Sequence, residues 1–174
     1  IKKLMKSKKN LVFLGMMGSG KSIIGSLIAK KLKLNFIDID NEIEKKFNTT
    51  IKKIFEEKGE DYFRKIEEQI TLKKLKLNSA VISLGGGAFI NKNIREEIIK
   101  NHFSFWLNWS TKILLNRIKN SKKRPLTVGA SDEELIDLVK KRSILYSKAL
   151  FEIKCDNLSK DQIIKKIIEI YDTK

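Results

Sequence analysis

The sequence predicts a three-layer α/β fold: five parallel strands in one sheet, with helices on both faces. Three observations predict it. Short runs that are apolar at nearly every position alternate with longer amphipathic segments, the pattern of strands buried on both faces and joined by helical crossovers. No linker rich in Pro, Gly or Ser divides the 174 residues and no internal repeat is visible, so one domain over 1–174 accounts for the chain. A glycine-rich loop ending in Lys-Ser falls between the first strand and the first helix, where such sheets bind ligands beyond the carboxyl ends of their strands.

The elements follow in order. Asn10–Leu14 reads as the first strand and Lys21–Leu32 as a helix. Asn35–Asp38 is a second strand, followed by helical stretches near 41–48, 50–58 and 60–77. Ser79–Leu84 is a third strand running into Gly85-Gly86-Gly87, and a helix near 91–101 leads to a fourth, Phe103–Leu107. A helix over 110–119 precedes a polar segment, 120–130, that holds the lone proline, Pro125. Ser131-Asp132-Glu133-Glu134 is a capping box that opens a helix reaching about 149. Leu150–Lys154 is the fifth strand, and Ser159-Lys160-Asp161-Gln162 caps the last helix.

Composition narrows the function. With 41% apolar and 33% charged residues the chain can bury a core, which argues against intrinsic disorder. No apolar run approaches the ~20 residues of a membrane span, and the start, Ile1–Lys9, lacks the apolar middle of a secretory signal. One cysteine (Cys155) and one histidine (His102) exclude an intrachain disulfide framework and the usual zinc clusters. A cytoplasmic protein is expected. The net charge of +16 hints at nucleic acid. Yet only five of the 37 basic residues are arginines, the side chain favoured for base readout and bidentate phosphate contact. The lysines are spread along the chain, often near Glu, and read as a solvated surface. Neither a nucleic-acid nor a membrane partner is expected.

Gly15-Met16-Met17-Gly18-Ser19-Gly20-Lys21-Ser22 fits G-x-x-x-x-G-K-[ST] in its strand–loop–helix context. Glycines let backbone N–H groups surround phosphate oxygens, and the helix N-terminus adds a favourable dipole. Lys21 supplies charge to the β- and γ-phosphates and Ser22 a hydroxyl to Mg²⁺. No N-K-x-D guanine-reading motif is present, which disfavours a GTPase. Carboxylates for the metal come from the second strand. If the chain stays extended, Asp38 and Asp40 point the same way, Asp38 to support Mg²⁺ through water and Asp40 to accept the proton of an attacking hydroxyl. The alternative is that one of them caps the following helix.

Arg142 falls in an apolar stripe with Leu135, Leu138, Leu145 and Ala149, and no acidic residue stands three or four positions away. A buried charge needs a partner from elsewhere in the fold or from a ligand. Arg64 is either an ordinary helical pair with Glu67 and Glu68 or the second half of a carboxylate site. Gly85-Gly86-Gly87 is either a sharp turn or a surface of accessible N–H groups. The polar basic segment 117–131, with Arg117 and Arg124, reads as a lid that closes over a nucleotide, or as a solvated loop.

Together these parts resemble shikimate kinase. The resemblance is carried by the phosphate loop; Asp38-Ile39-Asp40; Ile54-Phe55, Gly59-Glu60 and Phe63-Arg64 with Glu67; Leu84-Gly85-Gly86-Gly87-Ala88; Arg124-Pro125-Leu126; and Arg142 with Leu145-Tyr146 and Ala149. It implies transfer of the γ-phosphoryl group of ATP to the 3-hydroxyl of shikimate, with Mg²⁺, by a monomer, on a sheet ordered 2-3-1-4-5. By resemblance, Arg64 and Arg142 hold the shikimate carboxylate, Asp40, Gly86 and Gly87 its hydroxyls, and Phe55 and Phe63 the pocket wall. Ser22 and Asp38 belong to the metal shell, and Gly18, Ser19, Gly20, Lys21, Ser22 and Ile23 to the nucleotide cradle. Arg124 comes from the lid to act with Lys21 and Asp40 in catalysis, and Arg117 lies against adenine. The substrate-binding region spans about 39–78 and the lid about 117–131. Members often place a basic residue just after the last strand to meet adenine; Asn157-Leu158-Ser159 contains none.

Overall fold

The computed structural model describes residues 9–120 and 130–174. Five strands, β1 (Leu11–Leu14), β2 (Asn35–Asp38), β3 (Ala80–Ser83), β4 (Phe103–Asn108) and β5 (Phe151–Lys154), form one parallel sheet ordered β2-β3-β1-β4-β5. Among the described residues seven helices flank the sheet: α1 (Lys21–Leu32), α2 (Ile39–Phe47), α3 (Ile51–Leu75), α4 (Lys92–Asn101), α5 (Thr111–Lys119), α6 (Asp132–Tyr146) and α7 (Lys160–Asp172). The helical layers are those the sequence pattern predicts, and the strand order is the one the resemblance implies.

The period of two along each strand divides the interior into two cores. Leu11, Phe13, Val81, Phe105 and Ile153 face α1 and α7, against Ile24, Ile28, Ile163 and Ile167. Val12, Leu14, Ile82 and Trp106 face the other way, against Ile66 and Ile70 of α3, Ile94 and Ile98 of α4, and Val139 and Tyr146 of α6. Phe13, Phe105 and Phe151 stack across three neighbouring strands, with centroids 5.6 and 5.0 Å apart. The burial of these faces, at roughly 25 cal/mol per Å² of apolar area, is the main force holding the sheet between its helices.

The stretches 50–58 and 60–77 stand as the two halves of α3, separated as the sequence indicates by a kink at Gly59, whose φ of 79° and ψ of 171° a side chain would strain. Two local differences from the sequence reading have physical causes. A short 3-10 turn, Ala88–Ile90, intervenes before α4, which Asn91 caps by accepting from the Ile94 N–H. More consequential, α2 begins at Ile39, so Asp38 and Asp40 are not two extended residues on one side. Asp38 is the N-cap, its Oδ1 accepting from the Asn41 N–H at 3.2 Å, and Asp40 lies in the first helical turn, where an acidic side chain suits the helix dipole.

Candidate active site

The site lies beyond the carboxyl ends of β1, β2 and β3. The loop after β1 wraps onto the start of α1. Lys21 is buried and its Nζ donates to the carbonyls of Gly15 (2.8 Å) and Met16 (3.0 Å). Ser19 is buried, whereas the Ile23 side chain is 60% exposed, so Ile23 offers this cradle its backbone alone. The Ser22 hydroxyl donates to Asp38 Oδ2. One carboxylate therefore caps α2 with one oxygen and holds the phosphate-loop serine with the other. This pair of hard oxygen donors suits Mg²⁺, which takes one or two protein oxygens and fills its shell with phosphate and water. Among the described residues no three His, Cys, Asp or Glu side chains converge on a point, as a cage built wholly from protein would require.

Next to this pair opens a cavity of about 690 Å³ lined by Met17, Ser22, Asp38, Asp40, Phe55, Phe63, Arg64, Glu67, Gly85, Gly86, Gly87 and Arg142. Lys21 does not line it, but its neighbour Ser22 does. The two arginines flank the glycine turn that follows β3. A Cβ on Gly86 would stand 3.5 Å from Arg142 Nη1, and one on Gly87 2.5 Å from Arg64 Nη1. Phe55 and Phe63 pack at 4.6 Å between centroids, and the Arg64 guanidinium lies over the Phe63 ring.

The two arginines differ in how they are held. Arg64 Nη1 donates to Glu67 at 2.6 Å, and its Nε and Nη2 donate to Glu60 at 3.1 and 3.0 Å. Glu60, not Glu68, is thus the second partner; Glu68 accepts from Asn93 instead. Burial works against the Arg64 charge, but Glu67 and Glu60 outweigh it and raise the pKa. Arg142 is 5% exposed, and among the described residues no carboxylate lies within ion-pair distance of it. Its Nη1 meets the Met16 sulfur at 3.8 Å, and its Nε has no hydrogen-bond partner. The buried face of α6 is Leu135, Val139, Arg142 and Tyr146, with Leu138, Leu145 and Ala149 half-buried beside it. The arginine does sit in the apolar stripe.

Glu67 in the cavity wall, and Tyr146 bonded to the Gly86 that lines it, were not singled out as site residues by sequence. Glu67 is 2% exposed, and burial pushes its carboxyl above the usual range against the pull of Arg64 and Arg142. Its three-residue spacing from Arg64 was the available signal. Tyr146 donates its hydroxyl to the Gly86 carbonyl, and burial pushes the phenol up to about 12. Its signal was a position one helical turn after Arg142.

Arg117 stands on the other side of the phosphate loop. Its guanidinium lies 3.8 Å from the Trp109 ring centroid and its Nη1 donates to the Gly18 carbonyl at 3.2 Å. Beside it a groove of about 430 Å³ is lined by Asn108, Trp109, Ser110, Lys154, Asp156, Asn157, Leu158 and Lys166. Basic side chains therefore reach this groove from β5 and α7, although the residues just after β5 include none. Arg124 and most of the expected lid lie outside the described residues.

Comparison with known proteins agrees with this arrangement. A family model described as shikimate kinase matches residues 17–172. The shikimate kinase of Bacillus subtilis (strain 168) is 39% identical over 172 residues, covering 93% of this chain and 88% of that protein. A shikimate kinase from Acinetobacter baumannii, solved in complex with shikimate, superposes with a TM-score of 0.90 at 30% identity, over 97% of this chain and 95% of that one. The shikimate kinase of Aquifex aeolicus vf5 gives a TM-score of 0.83 at 33% identity, over 94% and 96%. From its phosphate loop through its last helix, this chain belongs to the shikimate kinase family.

Proposed function

We infer that the protein transfers the γ-phosphoryl group of ATP to the 3-hydroxyl of shikimate, releasing ADP and shikimate 3-phosphate, a step of chorismate and aromatic amino acid biosynthesis. The observation that carries this reading is the buried Arg142, its guanidinium facing Gly86 in the same cavity as Arg64 and Asp40. A small carboxylate between the two guanidinium groups would supply the counter-charge that Arg142 lacks among the described residues.

The roles follow from chemistry. Arg64, held by Glu67 and Glu60, and Arg142, seated on α6, orient the acid's carboxylate. Phe55 and Phe63 shape the wall against its ring, and the Gly86–Gly87 backbone receives its hydroxyls. Asp40 accepts the proton of the 3-hydroxyl as the new O–P bond forms, while Lys21 and the amides of the loop from Gly18 to Ile23 hold the phosphates. Ser22 and Asp38 would hold Mg²⁺, which neutralises phosphate charge when bound. Arg124 meets charge on the transferring group and Arg117 lies against the base. The chain works as a single kinase domain over 1–174, with a substrate-binding region at about 39–78 and a lid at about 117–131. It acts as a monomer in the cytoplasm, on a small molecule and not on nucleic acid or a membrane; no described helix is long and apolar enough to cross one.

The nearest other reading is another small-molecule kinase of the same fold, one that phosphorylates gluconate or a nucleoside monophosphate. A coupled assay of ADP release separates them. Turnover with shikimate, and none above background with gluconate or nucleoside monophosphates, is expected. Turnover with either of the others and not with shikimate would overturn the reading.

A further inference from the structure

The phosphate loop is held from outside as well as from within. Lys21 Nζ takes the carbonyls of Gly15 and Met16, Ser19 N–H also meets that of Met16, and Ile24 N–H meets that of Gly20. Of the three carbonyls between, those of Gly18 and Ser19 are met from another part of the fold. Arg117 Nη1 donates to Gly18 at 3.2 Å, and Trp109 Nε1 donates to Ser19 at 2.9 Å, across 99 and 90 residues of sequence. These two donors lie face to face, with the guanidinium 3.8 Å from the indole centroid. Trp109 itself packs against both apolar cores, so it brings a fixed seat to the loop's edge.

A trans peptide points its C=O and the following N–H in opposite directions, and no cis bond occurs among the described residues. Holding the Ser19 carbonyl on the Trp109 side therefore turns the Gly20 N–H to the opposite side. The same indole, by its face, fixes the plane of Arg117. We propose that Trp109 is a positioning residue for the nucleotide, orienting the Ser19–Gly20 peptide toward the phosphates through Nε1 and presenting Arg117 as a flat platform through its ring. The proposal deepens the nucleotide half of the function inferred above and is independent of which acceptor the enzyme phosphorylates.

The test is calorimetric titration of the full chain with ATP, with inorganic tripolyphosphate, which has no base, and separately with shikimate. Trp109→Phe keeps an aromatic face and loses the N–H. It should weaken ATP and tripolyphosphate alike by about three- to tenfold, the loss of one neutral hydrogen bond, with shikimate affinity unchanged. Trp109→Leu loses the face as well and should weaken ATP further than tripolyphosphate. Parental affinity of Trp109→Phe for both phosphate ligands would overturn the proposal, as would a loss of shikimate affinity in the same proportion, which marks a merely structural role. If Trp109→Leu does not fold, Trp109→Phe decides alone. Absence of shikimate binding in the parent would count against the acceptor assignment and leave the ATP and tripolyphosphate comparison intact.

Discussion

A single charged side chain in an apolar stripe is the most informative residue in this chain. Arg142 occupies a position on α6 where its neighbours on the buried face are Leu135, Val139 and Tyr146. A buried guanidinium with no carboxylate at ion-pair distance among the described residues costs stability, and an organic acid that lies against it recovers part of that cost. Replacing Arg142 with Met keeps the buried volume and removes the charge. We expect shikimate affinity to fall by roughly 2–5 kcal/mol, the range for removing one member of a buried charge pair. Affinity for ATP should stay near parental, and the folded state should gain stability. Titration with each ligand, together with a denaturation curve, checks all three outcomes. Equal losses for both ligands would detach Arg142 from the carboxylate site. Arg64 is less diagnostic, because Glu67 and Glu60 already neutralise it.

At the scale of elements, much was legible because periodicity and punctuation agree. The boundaries of α1 and β2 are those the sequence indicates, and the capping boxes at Ser131 and Ser159 form as read. The start of α2 was not legible. Ile37-Asp38-Ile39-Asp40 alternates as an extended continuation of β2 would, and only the tertiary position of Asp38, between Ser22 and the Asn41 N–H, makes it an N-cap and turns Ile39 and Asp40 into the helix. The Trp109–Arg117–loop contacts were equally invisible, since no local pattern relates residues 90 positions apart. The glycine turn after β3 was read as ambiguous, and its crowding shows what close approach it serves. A Cβ at Gly87 would fall 2.5 Å from Arg64 Nη1 and 2.7 Å from its Cζ, so the whole guanidinium must move. It is a side-chain end, and the backbone need not follow. Gly87→Ala should therefore raise the shikimate KM by about tenfold, equivalent to about 1.4 kcal/mol, with a much smaller change in thermal midpoint. Steady-state kinetics set beside a melting curve tests this; a parental KM would show that Arg64 adapts without loss.

Across the whole molecule the charge of +16 sits mainly on solvated lysines. Exposed pairs such as Lys52–Glu56, Lys53–Glu57 and Lys165–Glu169 contribute little each. The buried polar knot at the opposite end of the sheet from the site matters more. Asn10 Nδ2 donates to the carbonyls of Leu75 (2.9 Å) and Leu77 (2.7 Å), and its Oδ1 accepts from the Ala80 N–H (3.0 Å), tying the end of α3 to the starts of β1 and β3. Its own N–H donates to His102 Nδ1 at 3.3 Å, which requires that nitrogen to be unprotonated. Burial holds the His102 pKa below its ordinary 6.5, helped by Lys9 and opposed by Glu97, whose carboxylate lies 3.7 Å from Nε2. With the folded value below the unfolded one, the unfolded chain binds the extra proton as pH falls. The stabilisation is complete above 6.5 and is lost as pH drops from there through the lowered folded value. The slope is at most about 1.4 kcal/mol per pH unit for one such proton. His102→Asn can accept the same N–H without titrating, so its stability should stay level across that window while the parent declines. Denaturant midpoints taken at half-unit steps from about pH 7 downward compare the two. A parent with no decline between neutrality and the range where carboxylates titrate, or a variant with the parental slope, would show that this histidine does not link folding to protons.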